Sequence, residues 1–235
     1  MIDPSPAMDR CEPFADTTSG AVSVRGFLHR PDGVPANALV LTHGAGSDCR
    51  SPLLVALAGA FCQLGWMVLR YDLPFRQDRP HGPPSKGNAE RDQAGLRAAV
   101  EALRREMPGG VFLGGHSYGG RQASMMAASE PEVADALLLL SYPLHPPQRL
   151  DVMRTAHFPD LRTPSLFVHG TADGFGSIEE MRAALRLIPA RTELLEISGA
   201  GHELITNRGK FAGVIANAFA RFVDESGEES SGRQI

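Results

Sequence analysis

The sequence predicts an α/β domain: a mainly parallel sheet with helices packed on both of its faces. Three observations carry that prediction. Short apolar runs of strand length alternate with stretches whose apolar residues recur at helical spacing, along nearly the whole chain. The runs are mostly continuous rather than alternating, as in strands buried on both faces. Glycine-rich turns follow several of them, at the carboxyl ends where such sheets place their ligands.

Val22 to His29 comes first, and Val22, Val24, Phe27 and Leu28 suggest a strand near a sheet edge. Ala38 to Thr42 is a buried strand ending in His43-Gly44-Ala45-Gly46. Leu53, Leu54, Leu57, Ala60, Phe61 and Leu64 keep helical spacing until Gly65 stops them. Trp66 to Tyr71 is the next strand. Asp72 to Lys86 reads as a loop, because Pro74, Pro80, Pro83 and Pro84 are incompatible with a helix interior. Leu96, Ala99, Val100, Leu103 and Met107 then form one apolar stripe along a helix, with Arg97, Glu101, Arg104 and Arg105 pointing away.

Val111 to Leu113 is the strand before a glycine-rich turn and the helix-compatible stretch Arg121 to Ser129. Ala136 to Tyr142 and Ser165 to His169 are further strands. Ser177 and Glu180 form a capping-box pattern opening a helix that carries Ile178, Met181, Leu185 and Ile188. Leu194 to Ile197 is the last strand, and Phe211, Val214, Ile215, Ala218, Phe219 and Phe222 make a closing amphipathic helix. Only Pro143 to Pro164 separate two of the strands, too few residues for a large helical lid. Pro143, Pro146, Pro147 and Pro159 stiffen that insert, which has room for one short helix around Leu150 to Thr155, so the expected pocket is open.

Residues 1–20 and 225–235 are polar and lack periodicity, so they are expected to be flexible segments flanking a single domain over 21–224. A formal charge of −4 gives no global attraction to nucleic acid or to an anionic membrane. No apolar run reaches membrane-spanning length, and residues 1–20 lack the basic start and apolar stretch of a secretory signal. Cys11, Cys49 and Cys62 are odd in number and show no metal or disulfide spacing, which suggests a reducing compartment. The expectation is a cytoplasmic protein with no membrane insertion, no nucleic-acid partner and an oligomeric state that the sequence leaves open.

Gly115-His116-Ser117-Tyr118-Gly119 fits the pattern Gly-x-Ser-x-Gly and lies between a strand and a helix. A serine hydroxyl is inert at neutral pH, so it needs a sharp turn to expose it and a histidine to take its proton. Asp173 and His202 also fall just past strands, in Gly170-Thr171-Ala172-Asp173-Gly174 and Gly199-Ala200-Gly201-His202. The chain order is nucleophile, acid, histidine. Asp173 could instead cap its turn, and Glu196 or Glu203 could be the acid, but order and position favour Asp173. An oxyanion formed at Ser117 needs two backbone N–H groups: Tyr118 is the first donor, Ala45 the better candidate for the second and Gly44 the runner-up.

These segments, together with Arg70-Tyr71-Asp72-Leu73-Pro74-Phe75 and Gly119-Gly120-Arg121, resemble the α/β-hydrolase superfamily from about Val22 to Val223. The likeness is to a small-hydrolase branch that includes dienelactone-hydrolase-like proteins and the hydrolase-like domain of testis-expressed and histone-acetyltransferase-complex subunits. Dienelactone hydrolases proper use a cysteine nucleophile where this chain has Ser117, a departure from dienelactone chemistry itself. The expected function is therefore cleavage of a small or accessible ester or thioester through an acyl-enzyme, with no cofactor. A hydrolase-shaped interaction module and an acyltransferase are the alternatives.

Two further constellations stand near the strand ends. His43, His116, His169 and His202 all sit near strand ends, but no acidic cluster accompanies them, and no metal is expected. Arg76, Arg79 and Arg121, with His43 and Arg50 also near strand ends, are candidates for binding a carboxylate or phosphate on the substrate, against the plainer reading of solvated charges.

Overall fold

The computed structural model describes residues 10–18, 22–85, 87–204 and 211–231. Eight strands form one sheet: β1 (Arg10–Asp16), β2 (Val24–Arg30), β3 (Asn37–Thr42), β4 (Trp66–Tyr71), β5 (Gly110–His116), β6 (Leu137–Leu140), β7 (Ser165–Gly170) and β8 (Thr192–Ile197). Their spatial order is β1-β2-β4-β3-β5-β6-β7-β8. The β1–β2 and β2–β4 pairs are antiparallel and all the others parallel. Among the described residues six α-helices accompany them: α1 (Pro52–Gln63), α2 (Pro74–Asp78), α3 (Ala89–Glu106), α4 (Tyr118–Ser129), α5 (Ile178–Leu185) and, after the last strand, α6 (Ala212–Ser231).

The two-residue period of the strands divides the core between the faces. Ala38 and Val40 of β3 pack with α3, α4 and α5 through Leu96, Ala99, Leu103, Ala123, Met126 and Met181. Leu39 and Leu41, one residue out of phase, pack on the other face with α1 and α6 through Leu54, Leu57, Phe61, Ile215 and Phe219. The continuous apolar runs are thus explained: both faces of the central strands are covered. Helix α1 begins at Pro52 behind the N-cap Ser51, whose side chain accepts from Leu54 N, and it stops at Gly65, with φ +80°. The capping box of Ser177 and Glu180 forms as the sequence implies. Val214, counted in the apolar stripe of α6, faces solvent.

Four local expectations are corrected. Arg10–Asp16, inside the flanking segment assigned to 1–20, is a strand with seven residues in register against β2, from Arg10 opposite Arg30 to Asp16 opposite Val24. It was invisible to hydropathy because an edge strand that is largely exposed needs no apolar face, and its Pro13 is tolerated at an edge. Ion pairs of Glu12 with Arg30 and Asp16 with Arg105 hold it in place. Helix α6 likewise runs through Ser231, beyond the boundary placed at 224, while residues 1–9 and 232–235 lie outside the described residues.

The proline-rich stretch after β4 contains the short helix α2, because Pro74 occupies the first helical turn, where its missing N–H costs nothing. The β6–β7 insert has no helix around Leu150 to Thr155. It folds back on itself through Arg154 N to Leu144 O (2.8 Å) and Tyr142 OH to Arg154 O (2.6 Å), with a single 3₁₀ turn at Phe158–Asp160. Among the described residues, no helix is long and apolar enough to cross a membrane.

Candidate active site

The turn between β5 and α4 is sterically forced. A Cβ on Gly115 would lie 2.4 Å from Gly120 N, one on Gly119 2.6 Å from His43 O, and one on Gly120 2.6 Å from Gly115 O. Only glycine lets the strand, the helix and the β3 turn approach this closely. Ser117 at the apex has φ +50° and ψ −112°, a conformation that costs a non-glycine residue of order 1–3 kcal/mol. Its amide is tied to the neighbouring strand by a bond to Leu140 O (2.8 Å).

His202 Nε2 lies 2.8 Å from Ser117 Oγ, and His202 Nδ1 lies 3.0 and 2.9 Å from the two carboxylate oxygens of Asp173. The Asp173 carboxylate is fully buried and also accepts from Phe175 N at 2.8 Å. Burial pushes the Asp173 carboxyl upward in pKa, but the bonds from His202 and Phe175 N, with the charges of His202 and His169, outweigh it and leave the group below its ordinary value. Asp173 is thus an anion that fixes the Nδ1–H tautomer of His202 and leaves Nε2 as the acceptor facing the serine. Phe175 packs on the His202 ring at 4.3 Å between centroids, and His116 bonds to the carbonyl of His202 at 2.9 Å. Glu196, one of the alternative acids, is paired with Arg182 instead.

The β3 turn meets this group edge-on. A Cβ on Gly44 would lie 3.0 Å from His116 Nδ1 and 3.5 Å from Ser117 Cβ. The fully buried His43 accepts from Leu73 N at Nε2 (3.2 Å), so its proton is on Nδ1, which donates to Gly44 O at 2.8 Å. Ser47 N donates to the same carbonyl at 3.3 Å. In a trans peptide the N–H points opposite to the C=O, so the Ala45 N–H is directed away from His43 and Ser47. Ala45 lines the same cleft as Ser117 and Tyr118, whereas Gly44 is buried behind it. Tyr118 opens α4, so its N–H has no partner inside the helix and sits at the positive end of the helix dipole.

That cleft has a volume of about 460 Å³. Its rims carry Pro83 and Pro84 on one side and Pro143 and Pro147 on the other, with Phe175 near the histidine. Fixed proline φ angles make both rims stiff.

The four residues expected to touch substrate separate into different roles. Arg76 is only 7% exposed and donates to four carbonyl oxygens: Ala45 (2.8 Å), Ser47 (2.9 Å), Gly82 (3.1 Å) and Arg79 (3.2 Å). It braces the β3 turn with four of its five N–H donors on carbonyl oxygens, and it does not line the cleft. Arg79 is exposed and bonds to Pro83 O, and His43 is sealed from the cleft. Arg50 stacks on Phe27. Arg121 alone of these lines the cleft. The His116 and His202 rings lie 5.2 Å apart, but among the described residues no group of three or more His, Cys, Asp or Glu could hold a metal ion, and His43, His116 and His169 bond to the carbonyls of Gly44, His202 and Gly176.

Several residues in or behind the cleft carried no sequence signal. Asp92 in α3 is fully buried and accepts from Phe75 N (3.0 Å) and Tyr118 OH (2.7 Å), tying α2 to the residue after the serine. Gln122 and Arg154 also line the cleft.

The family model of the alpha/beta hydrolase domain matches residues 35–222. Similar solved structures include a dienelactone hydrolase from Anabaena variabilis, at TM-score 0.70 and 21% identity over 92% of this chain and 98% of that one. Another is an α/β serine hydrolase without a lid from Xanthomonas campestris, at TM-score 0.69 and 21% identity over 90% and 95%. Est1E of Butyrivibrio proteoclasticus, with ferulic acid bound, gives TM-score 0.70 and 16% identity over 90% and 99%. At such identities these likenesses speak to the fold. In sequence, 107 residues are 33% identical to polyketide synthase ThaQ of Burkholderia thailandensis, covering 43% of this chain and 5% of that far longer protein. The match across 35–222, taken with the parallel sheet and its Gly-x-Ser-x-Gly turn, places the chain in the α/β-hydrolase family.

Proposed function

We propose that this chain is a serine hydrolase that cleaves a small or accessible carboxylic ester or thioester through an acyl-enzyme. Ser117 Oγ attacks the carbonyl carbon while its proton passes to His202 Nε2, and the carbonyl oxygen becomes an oxyanion facing the N–H groups of Tyr118 and Ala45. The oxyanion collapses, the bond to the alkoxide or thiolate breaks, and the leaving group takes the proton from Nε2. A water molecule then gives a proton to Nε2 and its oxygen to the acyl carbon, and the second collapse releases the acid and returns the proton to Ser117. Asp173 stays ionised throughout and holds the imidazole in place.

The observation that carries this reading is the unbroken run from Asp173 to His202 Nδ1 and from Nε2 to Ser117 Oγ, at the mouth of an open cleft. The shallow, proline-rimmed cleft favours short acyl groups over long buried ones. The substrate is read as a small molecule met in the cytoplasm, in keeping with the net negative charge and with Cys11, Cys49 and Cys62 forming no disulfide among the described residues.

A fluorophosphonate probe tests the proposal. It should label the wild-type chain and the Ser129→Ala variant and fail on Ser117→Ala. Folded wild-type protein that takes no label, and that retains a stable partner in a pull-down, would instead mark a hydrolase-shaped interaction module.

A further inference from the structure

A second group of side chains lines the cleft and takes no part in the steps above. Arg121 lies one helical turn from the nucleophile, its N–H bonded to Ser117 O at 3.0 Å, and Arg154 comes from the β6–β7 insert. Arg121 Nε is buried without a hydrogen-bond partner among the described residues. Gln122 is 1% exposed; its Oε1 accepts from Gln93 at 2.9 Å, but its Nε2 is likewise unpartnered. Arg154 is anchored through its backbone, while among the described residues its guanidinium reaches only His145 O, at 3.5 Å.

Other arginines find counter-charges on the surface, and the buried Arg70 and Arg76 have hydrogen-bond partners for their guanidinium groups. Arg97 is paired with Glu130, Arg91 with Asp78, Arg182 with Glu196 and Arg149 with Asp151. Among the described residues neither Arg121 nor Arg154 has a carboxylate within ion-pair distance. The acids of the surrounding elements are engaged elsewhere: Asp92 by Tyr118 and Phe75, and Glu180 by Ser177 and His145.

The two guanidinium groups also oppose each other. Burial first, and then the charge of Arg121, pull the Arg154 pKa below its ordinary value. The same two causes push the adjacent His157 down to about 4, so it is a neutral ring at physiological pH. Partly desolvated like charges, together with an orphaned amide donor, cost free energy unless an anion joins them.

We propose that Arg121, Arg154 and Gln122 form an anion subsite, so that the substrate is an ester or thioester that also bears an acidic group, a carboxylate or a phosphate. This deepens the serine-hydrolase reading and rests on it. The planar guanidinium fork matches both anions, and its place beside Ser117 puts the acidic group on the same molecule as the scissile carbonyl.

Matched pairs of substrates test the subsite on the full chain. The carboxylate arm compares the succinic half-ester of p-nitrophenol with p-nitrophenyl butyrate; the phosphate arm compares S-acetyl phosphopantetheine with S-acetyl pantetheine. In at least one arm the charged member should have the higher kcat/KM, by about 10- to 100-fold, the effect of a hydrogen bond to a charged group. Arg121→Gln and Arg154→Gln should each shrink that ratio, and Arg154→Lys should recover part of it, which a merely structural role would not do. The arm that responds identifies the anion.

Equal or better turnover of both neutral partners would overturn the subsite while leaving the serine chemistry intact. If Ser117 takes no label and no ester is cleaved, the hydrolase reading fails. The subsite is then read by calorimetry with succinate and inorganic phosphate, where binding lost in Arg154→Gln supports it and no binding of either anion overturns it.

Discussion

Arg76 donates from Nη2 to the carbonyl oxygen of Ala45 at 2.8 Å, the residue whose N–H is the proposed second oxyanion donor. With Nε on Ser47 O, the guanidinium clamps the turn on both sides of Gly46. Removing an oxyanion donor outright costs about 10²- to 10³-fold in rate, and loosening its support should cost less. Arg76→Met is therefore expected to lower kcat by roughly 10- to 100-fold with KM little changed. A rise in KM for anionic esters alone, with kcat intact, would instead return Arg76 to the role of a substrate-binding residue.

Asp173 accepts from both His202 and Phe175 N, and an asparagine there changes only one of those bonds in kind. Its Oδ1 can still accept from Phe175, but its amide donates toward Nδ1 and favours the His202 tautomer with the proton on Nε2. That tautomer cannot accept from Ser117 Oγ. Asp173→Asn should reduce kcat by about 10⁴-fold while the fold is kept. Stopped-flow or steady-state ester hydrolysis reads the loss, and a variant within tenfold of wild type would remove Asp173 from the mechanism.

Asp92 joins α2 to Tyr118 from inside the core, and truncating it leaves Phe75 N and Tyr118 OH short of an acceptor. Each buried orphan costs about 1–3 kcal/mol, so Asp92→Ala should lose roughly 2–4 kcal/mol by urea unfolding. Asp92→Asn keeps the acceptor for Phe75 N and should stay within about 1 kcal/mol of wild type. Burial holds the Asp92 carboxyl above its ordinary pKa, against the two bonds that lower it. A raised carboxyl favours the fold at low pH and loses that advantage as pH climbs through the folded value, so Asp92→Asn should gain on wild type between acid and neutral pH. An Asn variant as damaged as the Ala variant would show that the charge itself is needed.

The parts of the fold that the sequence exposes are those where burial is two-sided. Leu137–Leu140 and Ser165–Gly170 are apolar because helices cover both faces, so their letters alone locate them. β1 escapes notice because an edge strand can be stabilised by ladder bonds and ion pairs that leave RCEPFAD polar. Ser117, Asp173 and His202 are legible through chain order and strand ends, positions at which the fold brings their side chains into hydrogen-bond contact. Arg76 and Arg154 are not, because an arginine in a loop has the same letter whether it braces carbonyls or faces a ligand. Only the surrounding backbone, with four carbonyls around Arg76 and one distant one beside Arg154, distinguishes them.

Two buried imidazoles, His43 and His116, and the half-buried His157 set an acid limit on stability. Burial holds His43 and His116 below the ordinary value of 6.5, each partly offset by its bond to a backbone carbonyl, and His157 lies at about 4. Below pH 6.5 the unfolded chain takes up protons that the folded chain refuses, so stability is full above that value and falls as pH drops toward the folded values. Each imidazole contributes at most about 1.4 kcal/mol per pH unit to that slope. Protonation of His43 would also abolish the acceptor for Leu73 N, so the turn carrying Ala45 fails with the fold. The raised carboxyl of Asp92 works in the opposite direction. The urea midpoint should therefore decline from about pH 6.5 downward at constant m-value, and a midpoint flat from neutral pH to pH 5 would mean that these rings titrate as freely folded as unfolded.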